Sequence, residues 1–452
     1  MCRHSHDAAV ARLAAALRSL PDGAPVRLAK PSSNLFRFGG RDSTAGLPTD
    51  GLDTVIELDA AARTAEVGGL ITYERLVAAT LPAKLMPAVV PQLKTITLGG
   101  AVAGLGIEAT SFRHGLPHES VLEMDVLTGS GELVTVRPGD PLFDGFPNSY
   151  GTLGYAVRLV ISLQPVSAVV EVRHLRFDDP AAGFAELDRI WSDGEHDGSP
   201  VDFLDGVAFG PEELYLSLGR FTDDPGPTSD YTGQSVYYRS LRRRQHDRLT
   251  VHDYLWRWDT DWFWCSAAFG VQNRFLRPLW PKDQRRSDVY RRLVSLDRRL
   301  GLTRRMAALR GRRSEAVIQD VEIPVSSAAR FLTEFCESVP IRPVWLCPLR
   351  LSGDRQWPLY PLRTGERYVN FGFWATVPLA PGQSDDHHNR LVERLVADLG
   401  GHKSLYSTVH YSREEFWRKY GEQSYRDLKA RYDADRRLPD LYEKVVGDRA
   451  TR

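Results

Sequence analysis

Several things are scarce in this sequence, and each scarcity excludes a class of protein. There are four cysteines in 452 residues, Cys2, Cys265, Cys336 and Cys347. They are too few and too scattered for a disulfide framework or a zinc cluster, and they fit a reduced, cytoplasmic setting. Net charge is absent: Lys+Arg and Asp+Glu both number 58, so the balance points to no nucleic-acid partner. No window is apolar for long enough to span a bilayer. The N-terminal stretch MCRHSHDAAVARLAAAL is interrupted by Arg12, and Arg18 follows. It reads as a short amphipathic helix rather than a signal peptide. No dinucleotide fingerprint opens a helix after a strand. His387 and His388 lack further ligands at metal spacing and read as a surface pair. No internal repeat is visible.

What is present is glycine in one place. Thr95 to Gly115, TITLGGAVAGLGIEATSFRHG, carries Gly99, Gly100, Gly104, Gly106 and Gly115 among small and hydroxyl residues. Glycine permits positive φ and close approach of a second backbone or a ligand. Such a run can turn N–H groups toward an anion such as a pyrophosphate. A tight turn packed on a sheet is the alternative. Val121–Val136 then reads as two strands around Gly129-Ser130-Gly131. Leu142–Val157 carries Gly151-Thr152-Leu153-Gly154 ahead of another strand. Earlier, Val55–Leu58 and Thr64–Val67 read as strands, followed by a helix that Thr72 caps.

Beyond Pro165 the composition fits a second α+β unit. Val169–Phe177 alternates as a strand does, and Ala182–Trp191 is helical in pattern. Val201–Phe209 and Glu213–Gly219 form a strand pair, and Asp223–Thr232 an exposed loop. Tyr254–Trp264 (YLWRWDTDWFW) holds four of the ten tryptophans, Trp256, Trp258, Trp262 and Trp264. Packing explains any one ring, but four together fit a large apolar pocket or an interface. Arg239–Arg248 is a basic run, either solvated surface or a contact for phosphate or anionic headgroups. Glu315–Ile323, Arg342–Leu349, Val369–Trp374 and Lys403–Tyr411 read as strands, and Ser412 with Glu415 gives a capping box.

TLGGAVAGLGIE, the GSGEL hairpin, LFDGFPNSYGTLGYAVRLVISLQPV and VWLCPLR together resemble the delta-24 sterol reductase-like family of vanillyl-alcohol-oxidase-like flavoproteins. The resemblance runs along nearly the whole chain. It is strongest to an actinobacterial branch that reduces methylene-branched fatty acyl chains, as in tuberculostearic acid synthesis. It implies a two-part FAD-binding PCMH-type domain with an α+β cap (substrate) domain. The corresponding divisions are residues 1–165, a cap over 166–395, and a segment 396–452 returning to the FAD domain.

The same resemblance implies the site. Lys30, Ser32, Ser33 and Asn34 form a first phosphate loop. It lacks the histidine that carries covalent flavin elsewhere in the superfamily, so FAD is expected to be non-covalent. His114, near the second loop, reads as a surface or hydrogen-bonding residue. Thr95, Thr97, Gly99, Gly100, Gly104, Gly106, Ile107 and Ser111 form the second loop, and Thr152, Gly154 and Val157 close on the flavin. The four tryptophans are expected to bind substrate. Reduction of an isolated alkene needs protonation first, because hydride addition alone leaves an unstabilised carbanion. His410, Tyr411 and Glu322 are candidate acids, with Asp320, His252, Asp259 and Asp261 as alternatives. NADPH is the implied electron donor. The implied surroundings are a lipid substrate, a methyltransferase partner using S-adenosylmethionine, and peripheral contact with the inner membrane surface. The competing readings are an FAD-dependent oxidase or dehydrogenase of an alcohol or sugar, a non-catalytic subunit that stabilises the methyltransferase, and a sterol reductase.

Overall fold

The computed structural model describes residues 3–21, 23–30, 46–300 and 313–446. The fold is α+β and built on two antiparallel sheets. The first orders its strands as Val55–Asp59, Thr64–Gly68, Tyr155–Pro165, Val121–Leu127 and Leu133–Val136, with Leu85–Pro87 also paired to Tyr155–Pro165. The long strand Tyr155–Pro165 alternates buried and half-buried residues. Its neighbour Val121–Leu127 partly alternates too, while Thr64–Gly68 is buried almost throughout, and register is fixed where one face is apolar. Thr72 accepts a hydrogen bond from the Arg75 N–H and starts the helix Tyr73–Thr80. The first helix, Arg3–Arg18, packs its Leu13 and Leu17 against this sheet's edge beside Leu47, Leu52 and Val157.

The second sheet has eight strands. Its order is His246–Thr250, Val169–Phe177, Glu213–Thr222, Phe203–Gly210, Val344–Leu349, Tyr368–Pro378, Ser314–Pro324 and His402–Lys403. Its central strand Val344–Leu349 is buried on both faces. Alternate residues serve different cores, as a period of two requires. Val344 and Leu346 join the core under the helices Pro180–Asp193, Val325–Ser338 and His387–Asp398. Trp345 and Cys347 face the other way, into the core shared with the first sheet.

The final helices, Arg413–Lys419, Glu422–Tyr432 and Leu441–Val446, return to the glycine-rich region. Ser412 and Glu415 form the expected capping box. Lys429 donates to the Thr152 carbonyl over 2.7 Å and Lys444 to that of Tyr150 over 2.6 Å.

Two local readings are corrected. His388 is not on the surface. It is 5% exposed, because the buried Glu315 carboxylate receives the N–H groups of His388 and Asn389 and the His388 ring at 3.0 Å. The expected strand Lys403–Tyr411 is only His402–Lys403. The Ser404 N–H still reaches the Asp320 carbonyl at 3.0 Å, but Lys403 then folds its ammonium back onto the Thr408 carbonyl and the chain turns away.

Candidate active site

A cavity of about 900 Å³ lies between the two sheets. That is at the large end for a cofactor or ligand site. One side is the glycine stretch. Thr95, Thr97, Gly99, Gly100, Gly104, Gly106, Ile107 and Gly154 all border it, with Lys30 and Arg27 beside them. The opposite side belongs to the eight-stranded sheet and its attachments: Asp320, Trp345, Trp374, Ser404 and Tyr406, with Trp262 and Phe263. Arg291 and Asp288, from the helix Ser287–Leu300, and Lys444 complete the rim.

Gly69 and Gly99 let backbones touch, while Gly104 and Gly106 make room for the Tyr150 ring and for Pro91 and Pro117. A Cβ on Gly69 would lie 1.8 Å from the Ala156 carbonyl oxygen, and one on Gly99 would lie 2.7 Å from that of Gly69. The Gly99 N–H is spent on the Gly69 carbonyl at 2.8 Å and the Gly100 N–H on Thr97 Oγ1 at 3.2 Å. These two donors therefore build the wall rather than point at an anion. The positive charge at this end comes from Lys30 instead. Its ammonium lies 3.9 Å from where a Gly100 Cβ would stand. No hydrogen bond or ion pair to Lys30 occurs among the described residues, and burial, then the Arg291 charge, lower its pKa. An enclosed cation beside a side-chain-free wall is a place for a phosphate group.

Asp320 borders the same cavity. It is enclosed by protein except where it borders the cavity, and burial pushes its carboxyl up to about 7 against hydrogen bonds from Asn370 and Tyr406. Trp374 Nε1 holds the Tyr406 hydroxyl at 2.9 Å. Two residues on, Glu322 lies on the same face of the strand, one layer further in. Ser404 Oγ donates to it over 2.9 Å, and burial first of all raises its carboxyl to about 8. Glu322 is thus behind the wall rather than in it.

Other expected site residues are placed differently. Ser32, Ser33 and Asn34 lie outside the described residues. Ser111, Thr152 and Val157 are buried but do not border the cavity. Ser111 Oγ accepts the Glu108 N–H, Thr152 Oγ1 donates to the Ser149 carbonyl, and Val157 is core. His410 and Tyr411 are also away from it, because the strand meant to deliver them stops at Lys403. The His410 N–H donates to Glu393, and Tyr411 packs near Tyr420. Among the tryptophans only Trp262 borders the cavity. Trp258 stacks behind Phe263 at 5.0 Å, Trp264 packs on Trp374 at 5.3 Å, and Trp256 faces Lys94. Asp259 and Asp261 are buried, held by Ser287 and by Arg277, and His252 is exposed beside Asp253. His114 does not line the cavity either.

Sequence reasoning missed Phe263, Trp345, Trp374, Tyr406 and Lys444. Trp262 and Phe263 sit at φ 44° and 58°, a conformation bulky residues rarely adopt. Leu105 and Tyr150, also on the cavity, share it at 60° and 53°. Positive φ outside glycine thus gathers at this wall, as it does at functional sites. The basic run Arg239–Arg248 is elsewhere, at the far edge of the large sheet. Arg242 pairs with Glu213, Arg248 with Glu171, and Arg244 with Asp247.

The FAD binding domain family matches residues 5–137. Delta(24)-sterol reductase of Homo sapiens is 24% identical over 413 residues, covering 86% of this chain and 76% of that protein. The Delta(24)-sterol reductase homolog dhcr-24 of Caenorhabditis elegans is 24% identical over 449 residues, covering 91% and 81%. Cytokinin dehydrogenase 1 of Oryza sativa subsp. japonica is 31% identical over 145 residues, 30% of this chain and 27% of that one. These likenesses support an FAD-binding flavoprotein of PCMH type and, as a class, a flavin-dependent oxidoreductase.

Proposed function

We propose that this protein reduces the methylene C=C of a methylene-branched fatty acyl chain to a methyl branch, using FAD and NADPH. The observation that carries the reading is Asp320: an acid with its carboxyl raised to about 7, on an aromatic wall, across one cavity from the glycine stretch of the FAD-binding domain.

Lys30 and the wall from Thr95 to Gly106 would hold the diphosphate, with Ser32, Ser33 and Asn34 as further contributors. No histidine or cysteine lines the cavity among the described residues, which supports a cofactor held without a covalent link. Flavin, when bound, supplies hydride transfer. The remaining work falls to side chains. The Asp320 carboxyl gives its proton to the terminal methylene carbon, and positive charge develops at the branched carbon. A hydride supplied to that carbon would complete its C–H bond, and Asp320 recovers its proton from water. Trp345, Trp374 and Phe263 present rings to this charge, each worth about 0.5–2 kcal/mol to a nearby cation. Glu322, with Ser404, supports Asp320 from behind. His410 and Tyr411 have no part in this scheme.

A lipid substrate fits the absence, among the described residues, of any helix long and apolar enough to cross a membrane only if the protein meets lipid at a surface. A methyltransferase using S-adenosylmethionine would make the methylene substrate and is the proposed partner, at the cytoplasmic face of the inner membrane. The test is anaerobic mixing of purified protein with NADPH, followed by methylene-branched phospholipid. Bleaching of the flavin and its reoxidation by the lipid support the reading. Bleaching refused by NADPH, with oxygen consumed on an alcohol, favours an oxidase instead.

A further inference from the structure

Six large apolar side chains are strongly exposed among the described residues, and four of them fall between Phe275 and Leu296. Phe275, Leu276 and Leu279 are 70%, 51% and 79% exposed on one short loop, and Leu296 is 52% exposed on the helix that follows. Single exposed apolar residues need no explanation, but a cluster marks an interaction site. The loop is not loosely held. Arg277, 1% exposed, donates to both carboxylate oxygens of Asp261 at 2.7 and 3.0 Å and to the Tyr231 carbonyl at 3.0 Å. Arg285 donates to the Gly233 carbonyl over 2.9 Å and the Trp280 carbonyl over 2.7 Å. Two buried guanidinium groups therefore lock the loop with its apolar tips outward.

Charge distinguishes the occupant. From Arg274 to Asp297 the chain has seven arginines and lysines against three aspartates, in a protein of net charge zero. Arg274 is exposed with its guanidinium 4.6 Å from the Phe275 ring, while Lys282 and Arg292 are exposed and paired with Asp230 at 3.6 Å and Asp288 at 2.9 Å. Apolar tips with exposed cations on the same stretch of chain match a bilayer surface carrying anionic lipid. The loop also packs on an element that lines the cavity. Trp280 packs on Tyr290 at 6.2 Å, and the helix that bears Tyr290 turns Asp288 and Arg291 onto the cavity rim.

We propose that Phe275, Leu276 and Leu279, with Arg274 and Lys282, dock this protein on an anionic phospholipid bilayer, beside the rim through which an acyl chain enters. The docking stands on the surface itself; only the entry of an acyl chain rests on the proposed function.

The test uses the flavin-loaded protein and vesicles of phosphatidylcholine with or without phosphatidylglycerol. The natural protein is expected to cosediment with the anionic vesicles and to leave them as salt rises. Phe275→Ser/Leu276→Ser/Leu279→Ser is expected to weaken this by about tenfold or more, the scale set by apolar burial. It should keep its flavin, its melting temperature and its turnover of lipid in detergent micelles. Arg274→Glu/Lys282→Glu is the second variant, expected to lose the preference for anionic vesicles while folding normally. Unchanged vesicle binding by both variants overturns the proposal, as does failure of the natural protein to bind. So does a dimer of the natural protein that the triple variant converts to monomers, since a second copy then covers the surface. If vesicles bind but micellar lipid is never reduced, docking stands and the proposed reaction falls.

Discussion

Arg257 donates to Asp205 over 2.7 Å, and neither side chain is more than 1% exposed. The same Arg257 Nη2 reaches Glu108 at 3.1 Å, two residues after the last glycine of the wall. Asp205 also receives Trp258 Nε1 at 3.2 Å and Trp345 Nε1 at 3.4 Å. One buried carboxylate thus ties the glycine stretch, the aromatic segment and a tryptophan of the cavity wall.

Removing one partner of such a cluster leaves a buried charge uncompensated. Asp205→Ala is expected to lower stability by about 3–5 kcal/mol, read by urea unfolding. A loss under about 1 kcal/mol would mean that the network is not closed to water.

Lys30→Met separates affinity from stability. The variant removes an enclosed cation without a partner among the described residues, so the flavin-free protein should melt higher. Its FAD affinity should fall roughly tenfold or more, the worth of a charge-assisted contact of ~1.5–3 kcal/mol. Calorimetric titration with FAD, beside melting curves, reads both. Unchanged affinity would remove Lys30 from the phosphate site.

Asp320→Asn keeps shape and hydrogen bonds but has no proton to give. Turnover should drop by about 10²–10⁴ with flavin retained. In the natural protein kcat should fall as pH rises through about 7, where the Asp320 carboxyl loses its proton. His410→Ala should leave turnover intact.

The same carboxyls make a stability prediction. Burial raises Asp320 to about 7 and Glu322 to about 8, so the folded chain binds more protons than the unfolded one between ordinary carboxylate pKa values and these. Their contribution is present at acid pH and is lost as pH rises from about 4 to about 8. Melting curves of the flavin-free protein should show this slope, and Asp320→Asn/Glu322→Gln should flatten it.

How much of this was readable in the sequence depends on the range of the cause. Gly99, Gly100, Gly104 and Gly106 announce the wall, because at each a Cβ would crowd a neighbouring backbone or side chain, a demand that glycine alone meets. Their purpose was less legible: Gly99 turns its N–H to Gly69, thirty residues back, and not to a ligand. The capping box at Ser412, the cap at Thr72 and the alternation in Val169–Phe177 were legible because their causes lie within a few residues. Lys403–Tyr411 has strand-like composition, yet Lys403 bonds to Thr408 and Glu393 and the strand ends. Composition cannot report those partners. Likewise Trp256, Trp258, Trp262 and Trp264 look equivalent in the chain. The turn at Trp262 and Phe263 sends one to the cavity and three into the layers behind it. Asp320 was one carboxylate among several until the sheet placed it opposite the glycines.

The most direct test of an acid-first reduction is where a solvent proton ends up. Methylene-branched lipid is turned over in deuterated water with unlabelled NADPH, and the product is read by NMR. The account predicts deuterium in the newly formed methyl group, delivered from Asp320. A new methyl group free of solvent deuterium would contradict it.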